Sequence, residues 1–278
     1  MKGHMVKALC SALVVLKLWP EGFTASSAFG HGRPLRSTER LRRRHVQRFA
    51  EEAEAESPGG DPGLTEEEVK ILLQGAAMGD AESQVLVGRM ALEGNVGEPD
   101  PEQAAELFLK AAEQGEKDGQ FNLGMLLISG NGVPQDMQEG SLWLEKAAEQ
   151  GVHEAQYFYA ATNLQDGFDG DSYKAMKYMK SAAENGIADA QYALGMILLQ
   201  TQNLEWAAHW LNQAAQKGDS RAQYQIARMF LYGAGLEQDE ATAAQWASAA
   251  ANSGLQEAQY LMGTMLLSGQ GVEQNMAW

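Results

Sequence analysis

The feature that most constrains this chain is an internal repeat of about 36 residues that runs through its last two hundred residues. The pattern Ala-Ala-x-x-Gly recurs with glycines separated by 36, 36, 35, 32 and 36 residues, the first in a degenerate Gly-Ala form. A small residue follows each anchor glycine after nine residues. These series in one register predict stacked, nearly identical units that share a core. The anchor glycines are Gly79, Gly115, Gly151, Gly186, Gly218 and Gly254.

Each series predicts one part of a two-helix unit. An Asp or Asn stands fifteen residues before the last five anchors, where its side chain would cap a helix that the anchor glycine ends in the left-handed conformation. The following helix carries the small residue, which predicts close contact between helices. Apolar residues recur at helical spacing, and no segment has a strand pattern. The predicted caps are Asp100, Asp136, Asp171, Asn203 and Asp239, with Asn275 where a further one is due.

Two further features of the array are predicted from the sequence. Thr65 and Glu68 form a capping box, so a lone helix should run from Glu66 to Met78 before the first full unit. An aromatic residue stands near the middle of each second helix, where we expect it to belong to the core. These aromatics are Phe108, Trp143, Tyr178, Trp210 and Trp246.

The residues from Gln120 to Gly151 contain Gly-Asn-Gly-Val-Pro-x-Asp, a tryptophan and Ala-Ala-x-x-Gly in order. This stretch resembles the Sel-1-like repeat, a branch of the tetratricopeptide-like superfamily. The resemblance covers residues 64–278. It implies an all-α chain, a right-handed α-solenoid of about six two-helix repeats, and the composition of the preceding residues predicts a disordered N-terminal leader.

The first 63 residues have the composition of a targeting leader. Lys2 and Lys7 precede a short apolar run and then small residues, which predicts a secretory signal peptide over residues 1–28. Residues 29–48 carry seven arginines and one acid, as transit peptides do, and we expect residues 29–63 to be a disordered transit and linker segment. The junction resembles the two-part leader of algae with secondary plastids. Plastid targeting is therefore predicted, with the endoplasmic reticulum or secretory route and a mitochondrial presequence as alternatives.

Charge and cysteine content narrow the function. Residues 61–278 carry 31 acidic and 11 basic side chains, which argues against nucleic-acid binding because that affinity comes from neutralised phosphates. The single cysteine, Cys10, lies in the leader. The apolar run of the leader is too short to span a bilayer, so no transmembrane segment is expected in the mature chain.

No motif predicts catalysis. The glycine pairs belong to repeat turns and not to a phosphate-binding loop. His153 and His209 stand singly, and a loop with three aspartates lacks the calcium-binding pattern of an EF-hand. We therefore predict no enzyme, no catalytic residue, no metal and no cofactor. The three aspartates are Asp166, Asp169 and Asp171.

An aromatic series predicts a binding surface for a partner protein. In the tetratricopeptide fold the first helices line a concave groove, and five of six here carry an aromatic at one position, the kind of side chain that interfaces favour. We predict a non-enzymatic scaffold or adaptor that holds a partner protein in this groove. The alternatives are a subunit or assembly factor of an organellar, plastid complex and an endoplasmic-reticulum quality-control adaptor. The predicted groove residues are Phe121, Tyr157, Tyr192, Tyr224, Tyr260, Arg221 and Arg228.

Overall fold

The computed structural model describes residues 66–95, 98–164 and 171–273, and every regular element in these ranges is an α-helix of 11 to 13 residues. The all-α class predicted from the sequence is confirmed. The leader, Thr65, most of the loop with the three aspartates and Asn275 lie outside the described residues. The helices are α1 Glu66–Ala77, α2 Ala81–Glu93, α3 Pro101–Glu113, α4 Lys117–Ser129, α5 Met137–Glu149, α6 His153–Asn163, α7 Ser172–Glu184, α8 Ala188–Gln200, α9 Leu204–Gln216, α10 Ser220–Tyr232, α11 Glu240–Asn252 and α12 Gln256–Ser268.

The helices fall into two compact units, an N-terminal unit with α1–α5 and a C-terminal unit with α6–α12. Within each unit, every helix packs against the helices before and after it. First helices (α2, α4, α6, α8, α10, α12) alternate with second helices (α3, α5, α7, α9, α11). Each unit therefore has the stacked hairpin architecture that the repeat predicts.

The predicted helix ends are largely confirmed. All six anchor glycines have φ between 83° and 91°, the left-handed conformation that an L-residue with a side chain rarely adopts. Asp100, Asp136, Asp171 and Asp239 accept hydrogen bonds from backbone amides of the helix that follows. Asn203 stands directly before α9 as predicted, but its side chain makes no capping bond.

A glutamine that the repeat pattern did not highlight ties consecutive repeats together. In the first turn of each of five first helices, its side-chain amide donates to the carbonyl eight residues earlier, at the end of the preceding helix, over 3.0 to 3.4 Å. These carbonyls have no partner within their own helix. The bonds are Gln84 to Ala76, Gln120 to Ala112, Gln191 to Ala183, Gln223 to Ala215 and Gln259 to Ala251.

Small residues of the first helices allow the second helix to approach closely, as predicted. A Cβ on Gly124 would lie 2.9 Å from Leu144 Cγ and 3.0 Å from the backbone oxygen of Gly140. A Cβ on Gly195 would meet Leu211 Cγ at 2.6 Å. Gly263 differs, because nothing among the described residues lies within 4 Å of its added Cβ.

The aromatic series of the second helices corrects one prediction. Phe108 is fully buried, whereas Trp143, Tyr178, Trp210 and Trp246 are only half-buried. Phe108 is one place out of register with the other four. The fully buried position in the later repeats is the residue after the aromatic, held by Leu144, Met179, Leu211 and Ala247. Only this next position points at the small residue of the first helix.

The fourth repeat is shorter, and the turn between its two helices, α8 and α9, has a different conformation. Where other repeats have a glycine-rich turn, Thr201 caps the C-terminal end of α8, and Gln202 has φ 60°. Gln202 is the one non-glycine residue with positive φ in the described part of the chain. A left-handed glutamine therefore does here what glycine does elsewhere, at a cost of about 1 kcal/mol.

The same substitution should have opposite effects at two helical glycines. Gly124→Ala should lower the free energy of unfolding by roughly 1–3 kcal/mol, because the new methyl group overlaps Leu144 and a backbone oxygen. Gly263→Ala should leave stability unchanged or raise it by up to ~1 kcal/mol, since alanine has the higher helix propensity and meets open space. Urea unfolding followed by circular dichroism measures both changes. Equal effects would refute the close packing at Gly124.

Ser253→Gln should stabilise the C-terminal unit. Gln84 and Gln120 each accept, at 2.9 Å, the side-chain amide of a glutamine thirty residues later, Gln114 and Gln150. Gln223 Oε1 is buried with no hydrogen-bond partner in the described structure, and its counterpart thirty residues later is Ser253.

A glutamine at 253 can supply the missing donor, which we expect to raise the free energy of unfolding by about 1 kcal/mol. Ser253→Met is the control, because its side chain has similar length but no N–H. Thermal melts of both variants test the bond. A methionine that stabilises as much as the glutamine would show that packing, and not the hydrogen bond, is responsible.

Candidate protein-binding surface

Four of the predicted groove residues form what we call the tyrosine row, Tyr157, Tyr192, Tyr224 and Tyr260, at one position of α6, α8, α10 and α12. All four belong to the C-terminal unit. Their exposure rises along the chain: Tyr157 and Tyr192 are 5% exposed, Tyr224 is half-buried and Tyr260 is 77% exposed. Phe121 holds the same position on α4 in the N-terminal unit and is half-buried.

The first two tyrosines of the row are packing residues in this structure. Burial raises the pKa of Tyr157, and the negative charge of Asp189 adds to the effect. Burial likewise raises the pKa of Tyr192, although the Arg221 charge opposes it. Both phenols therefore remain neutral. Their burial leaves Tyr224 and Tyr260 as the members of the row that a partner can reach, and the binding role of all four stays a prediction.

Arg221 lies at the centre of an ion-pair cluster that joins two repeats. Its Nη2 is 2.6 Å from Asp189 Oδ1 on α8 and 2.5 Å from Asp219 Oδ2, and its Nε is 3.2 Å from Asp219 Oδ1. The guanidinium also lies over the Tyr192 ring, 4.5 Å from the centroid. The sequence predicts Arg221 as a groove residue that contacts a partner protein, but two carboxylates of the protein itself already occupy these donors.

Burial and ion pairing act in opposite directions on Arg221. Burial alone would lower the pKa of the guanidinium, but the hydrogen bonds and charges of Asp219 and Asp189 outweigh it and raise the pKa. Because the Arg221 side chain is 26% exposed and that of Asp219 only 8%, water screens this pair less than it screens surface pairs. The cluster links α8 and α10 through the shared guanidinium.

Arg228 is placed differently. It lies two turns further along α10, is exposed, and stands 5.7 Å from the Tyr224 ring centroid. Its hydrogen bond to Gln225 Oε1 is long, at 3.4 Å. In the sequences of α6, α8, α10 and α12, Arg221 and Arg228 are the only lysines or arginines. Arg228 is therefore the accessible cation on the first helices of the C-terminal unit.

An acidic residue recurs at the second position of the first helices. In the C-terminal unit these residues are Glu154, Asp189 and Glu257, and Arg221 holds the same position on α10. Glu154 and Glu257 are exposed, whereas Asp189 pairs with Arg221. The N-terminal unit has Glu82 and Asp118 there. One edge of the first-helix surface is thus acidic, with a single inserted arginine.

The second helices carry an aromatic cluster that was not predicted from the sequence. Trp206 is 57% exposed, and its ring centroid is 5.8 Å from that of His209, which is in turn 5.1 Å from Trp210. Gln213 bridges His209 Nε2 at 2.9 Å and the Gln191 amide at 3.0 Å. Trp210 was predicted to be core and Trp206 was not assigned, and only their spacing of four residues on α9 pointed to a shared face.

The described residues contain no group of three His, Cys, Asp or Glu side chains placed to hold a metal ion. Asp166 and Asp169 lie outside the described residues. As for membranes, no helix within the described ranges combines the length and apolar character needed to cross one.

Arg221→Gln should destabilise the C-terminal unit, because it leaves the largely buried Asp219 carboxylate without its guanidinium. We expect a loss of about 1–2 kcal/mol in the free energy of unfolding, discounted for the partial exposure of the pair. Arg228→Gln is the matched control, since Arg228 is exposed and makes one long hydrogen bond. Chemical denaturation measures both variants, and equal stability would refute the structural role of the cluster.

Comparison with known proteins places the chain among repeat proteins. A family model for the Sel1 repeat matches residues 81–116, 117–152, 153–187, 188–219, 220–255 and 256–277. Each full match begins at a first helix and continues through the second helix that follows it. No curated protein matches the chain.

Two solved structures are similar to it. One is a protective antigen of uropathogenic Escherichia coli strains that displays an SLR fold, with 30% identity and a TM-score of 0.70 over 77% of this chain. The match covers 46% of that antigen, so this protein spans less than half of the antigen's length. The other is a Sel1 repeat protein from Oxalobacter formigenes, with 28% identity and a TM-score of 0.67, covering 76% of this chain and 88% of that one. Because the family model matches well over half of its residues, this chain belongs to the Sel1 repeat family.

Proposed function

We propose that this protein is a non-enzymatic scaffold that binds a partner protein on the first-helix surface of its C-terminal unit. Sel1 repeat proteins generally mediate protein–protein interactions, which supports the coarse assignment. The observation that carries the proposal is the accessible end of the tyrosine row, where Tyr224 lies 5.7 Å from the exposed Arg228 and Tyr260 is exposed at the same position of α12. Tyrosine and arginine are the residue types that most often dominate binding energy at interfaces.

The physical setting favours binding over catalysis. Packing between consecutive helices already fixes the backbone that carries these side chains. Binding of a partner therefore costs no entropy for ordering that backbone. Tyrosines lose little conformational entropy on binding because each has only two side-chain torsions. The surface combines apolar rings, one cation and an acidic edge, which is a typical composition for a protein interface.

The cellular setting of the scaffold is also a proposal. The leader supports plastid targeting, and the alternatives are a role in endoplasmic-reticulum quality control or a mitochondrial location. A second functional candidate is a subunit or assembly factor of an organellar complex. The half-exposed aromatic cluster on α9 favours it, because a subunit needs a second contact surface.

Affinity purification of the full-length protein from its own cells tests this function. We expect a protein partner with the unmodified bait and its loss with a Tyr224→Ser, Tyr260→Ser bait, whose helical circular dichroism signal should be unchanged. Trp206→Ser is the control, since it removes an exposed aromatic from a second helix instead.

Loss of the partner with Trp206→Ser alone would move the interface to the second helices. No partner with any bait would contradict the scaffold function. A partner in fixed ratio with no free pool would favour the subunit over the adaptor. N-terminal sequencing of the purified protein reports where the leader is cut, and a start at Met1 would contradict the targeting proposal.

A further inference from the structure

We infer that Arg228 is the recognition point for a single carboxylate on the partner, presented between apolar side chains. This inference rests on the proposed binding function and names the chemistry of the partner segment. The two arginines on α10 then have different roles, since Arg221 pairs within the protein and Arg228 binds the partner.

The two arginines differ in the availability of their donors. Arg221 donates hydrogen bonds from Nη2 and Nε to Asp189 and Asp219. An incoming carboxylate would have to displace one of these aspartates from those donors. Arg228 is exposed, and the hydrogen bond at its Nη1 is 3.4 Å long. A guanidinium with free donors presents a planar fork that fits a carboxylate through two parallel hydrogen bonds.

The neighbours of Arg228 define what must flank the carboxylate. Tyr224, Arg228 and Tyr232 are spaced by four residues on α10 and therefore share one helical face. Tyr232 is exposed, and Tyr260 holds on α12 the position that Tyr224 holds on α10. A segment whose acid reaches Arg228 will place its adjoining side chains on these rings. We expect those side chains to be apolar or aromatic.

The net charge of the repeat region limits how many acids the partner carries. Residues 61–278 hold 31 acidic and 11 basic side chains, and the exposed Glu257 lies in the first turn of α12, the first helix that follows α10. An acidic tract would be repelled by this surface, whereas one carboxylate on the one accessible cation of these helices would not. The carboxylate can come from an Asp or Glu side chain or from the C-terminus of the partner, and the test separates these two sources.

The test is selection of random twelve-residue peptides on the full-length protein, with one library displayed by its N-terminus and one by its C-terminus. Enriched peptides are then synthesised with a fluorophore and measured by fluorescence anisotropy. We expect the enriched peptides to share one acid or a free C-terminus next to apolar residues. Replacing the acid by its amide, or amidating the C-terminus, should weaken binding about tenfold or more.

Arg228→Gln should cause a similar loss, and the two changes together should be no worse than either alone. Arg228→Lys should restore part of the affinity, because it keeps the charge but loses the fork. Lys180→Gln is the matched control, since it makes the same charge change at an exposed position on a second helix. Higher salt should weaken binding to the unmodified protein more than binding to the Arg228→Gln variant.

The inference is overturned if the enriched peptides lack a carboxylate, if nothing is enriched, or if the amide analogue loses as much affinity on Arg228→Gln as on the unmodified protein. Failure of the proposed function looks different, because then no cellular partner is recovered with any bait. If an Arg228→Gln bait still recovers the cellular partner in full, the scaffold function stands and the carboxylate site does not.

Discussion

The structure depends on ending each second helix and starting the next first helix within three residues. The last carbonyls of a helix have no partner in that helix, and so short a turn offers few new donors. The left-handed glycine reverses the chain, and the glutamine amide of the following helix donates to a carbonyl that also accepts the backbone amide of that glycine. The same bond ties the end of one helix to the first turn of the next.

Much of the fold could be predicted because the same helix-end signals recur in each repeat. Six anchor glycines and five caps mark the helix ends, and only Asn203 fails to make the expected bond. Which residue of each second helix is buried in the core was harder to predict. Phe108 stands eight residues after its cap and Trp143 seven, so Phe108 faces Gly88 while Trp143 lies one residue, or about 100°, away from its Gly124. Spacing places an aromatic on a helix, but only helix contacts decide which of two adjacent residues is buried.

The candidate surface was predicted in outline and not in detail. Periodicity put the tyrosines at one position, but it could not show that Tyr192 is covered while Tyr260 is open, since burial depends on neighbours from other repeats. The two arginines also looked alike. Their difference comes from Asp189, which is 32 residues from Arg221 in the sequence and 2.6 Å from it in space. The α9 aromatic cluster was missed because tryptophans in a repeat are usually assigned to the core.

The arginine that replaces an acid at the start of α10 makes the order of the repeats matter. At the other first helices of the C-terminal unit this position is acidic, and neighbouring modules could be exchanged there without leaving a charge unpaired. The fourth and fifth repeats cannot be separated so freely, because the guanidinium is shared between them. The other first helices also carry an acid there, so a repeat placed before α10 in a rearranged array would have to keep that acid to pair with the half-buried guanidinium. The start of α10 therefore depends on the repeat before it through one acidic side chain.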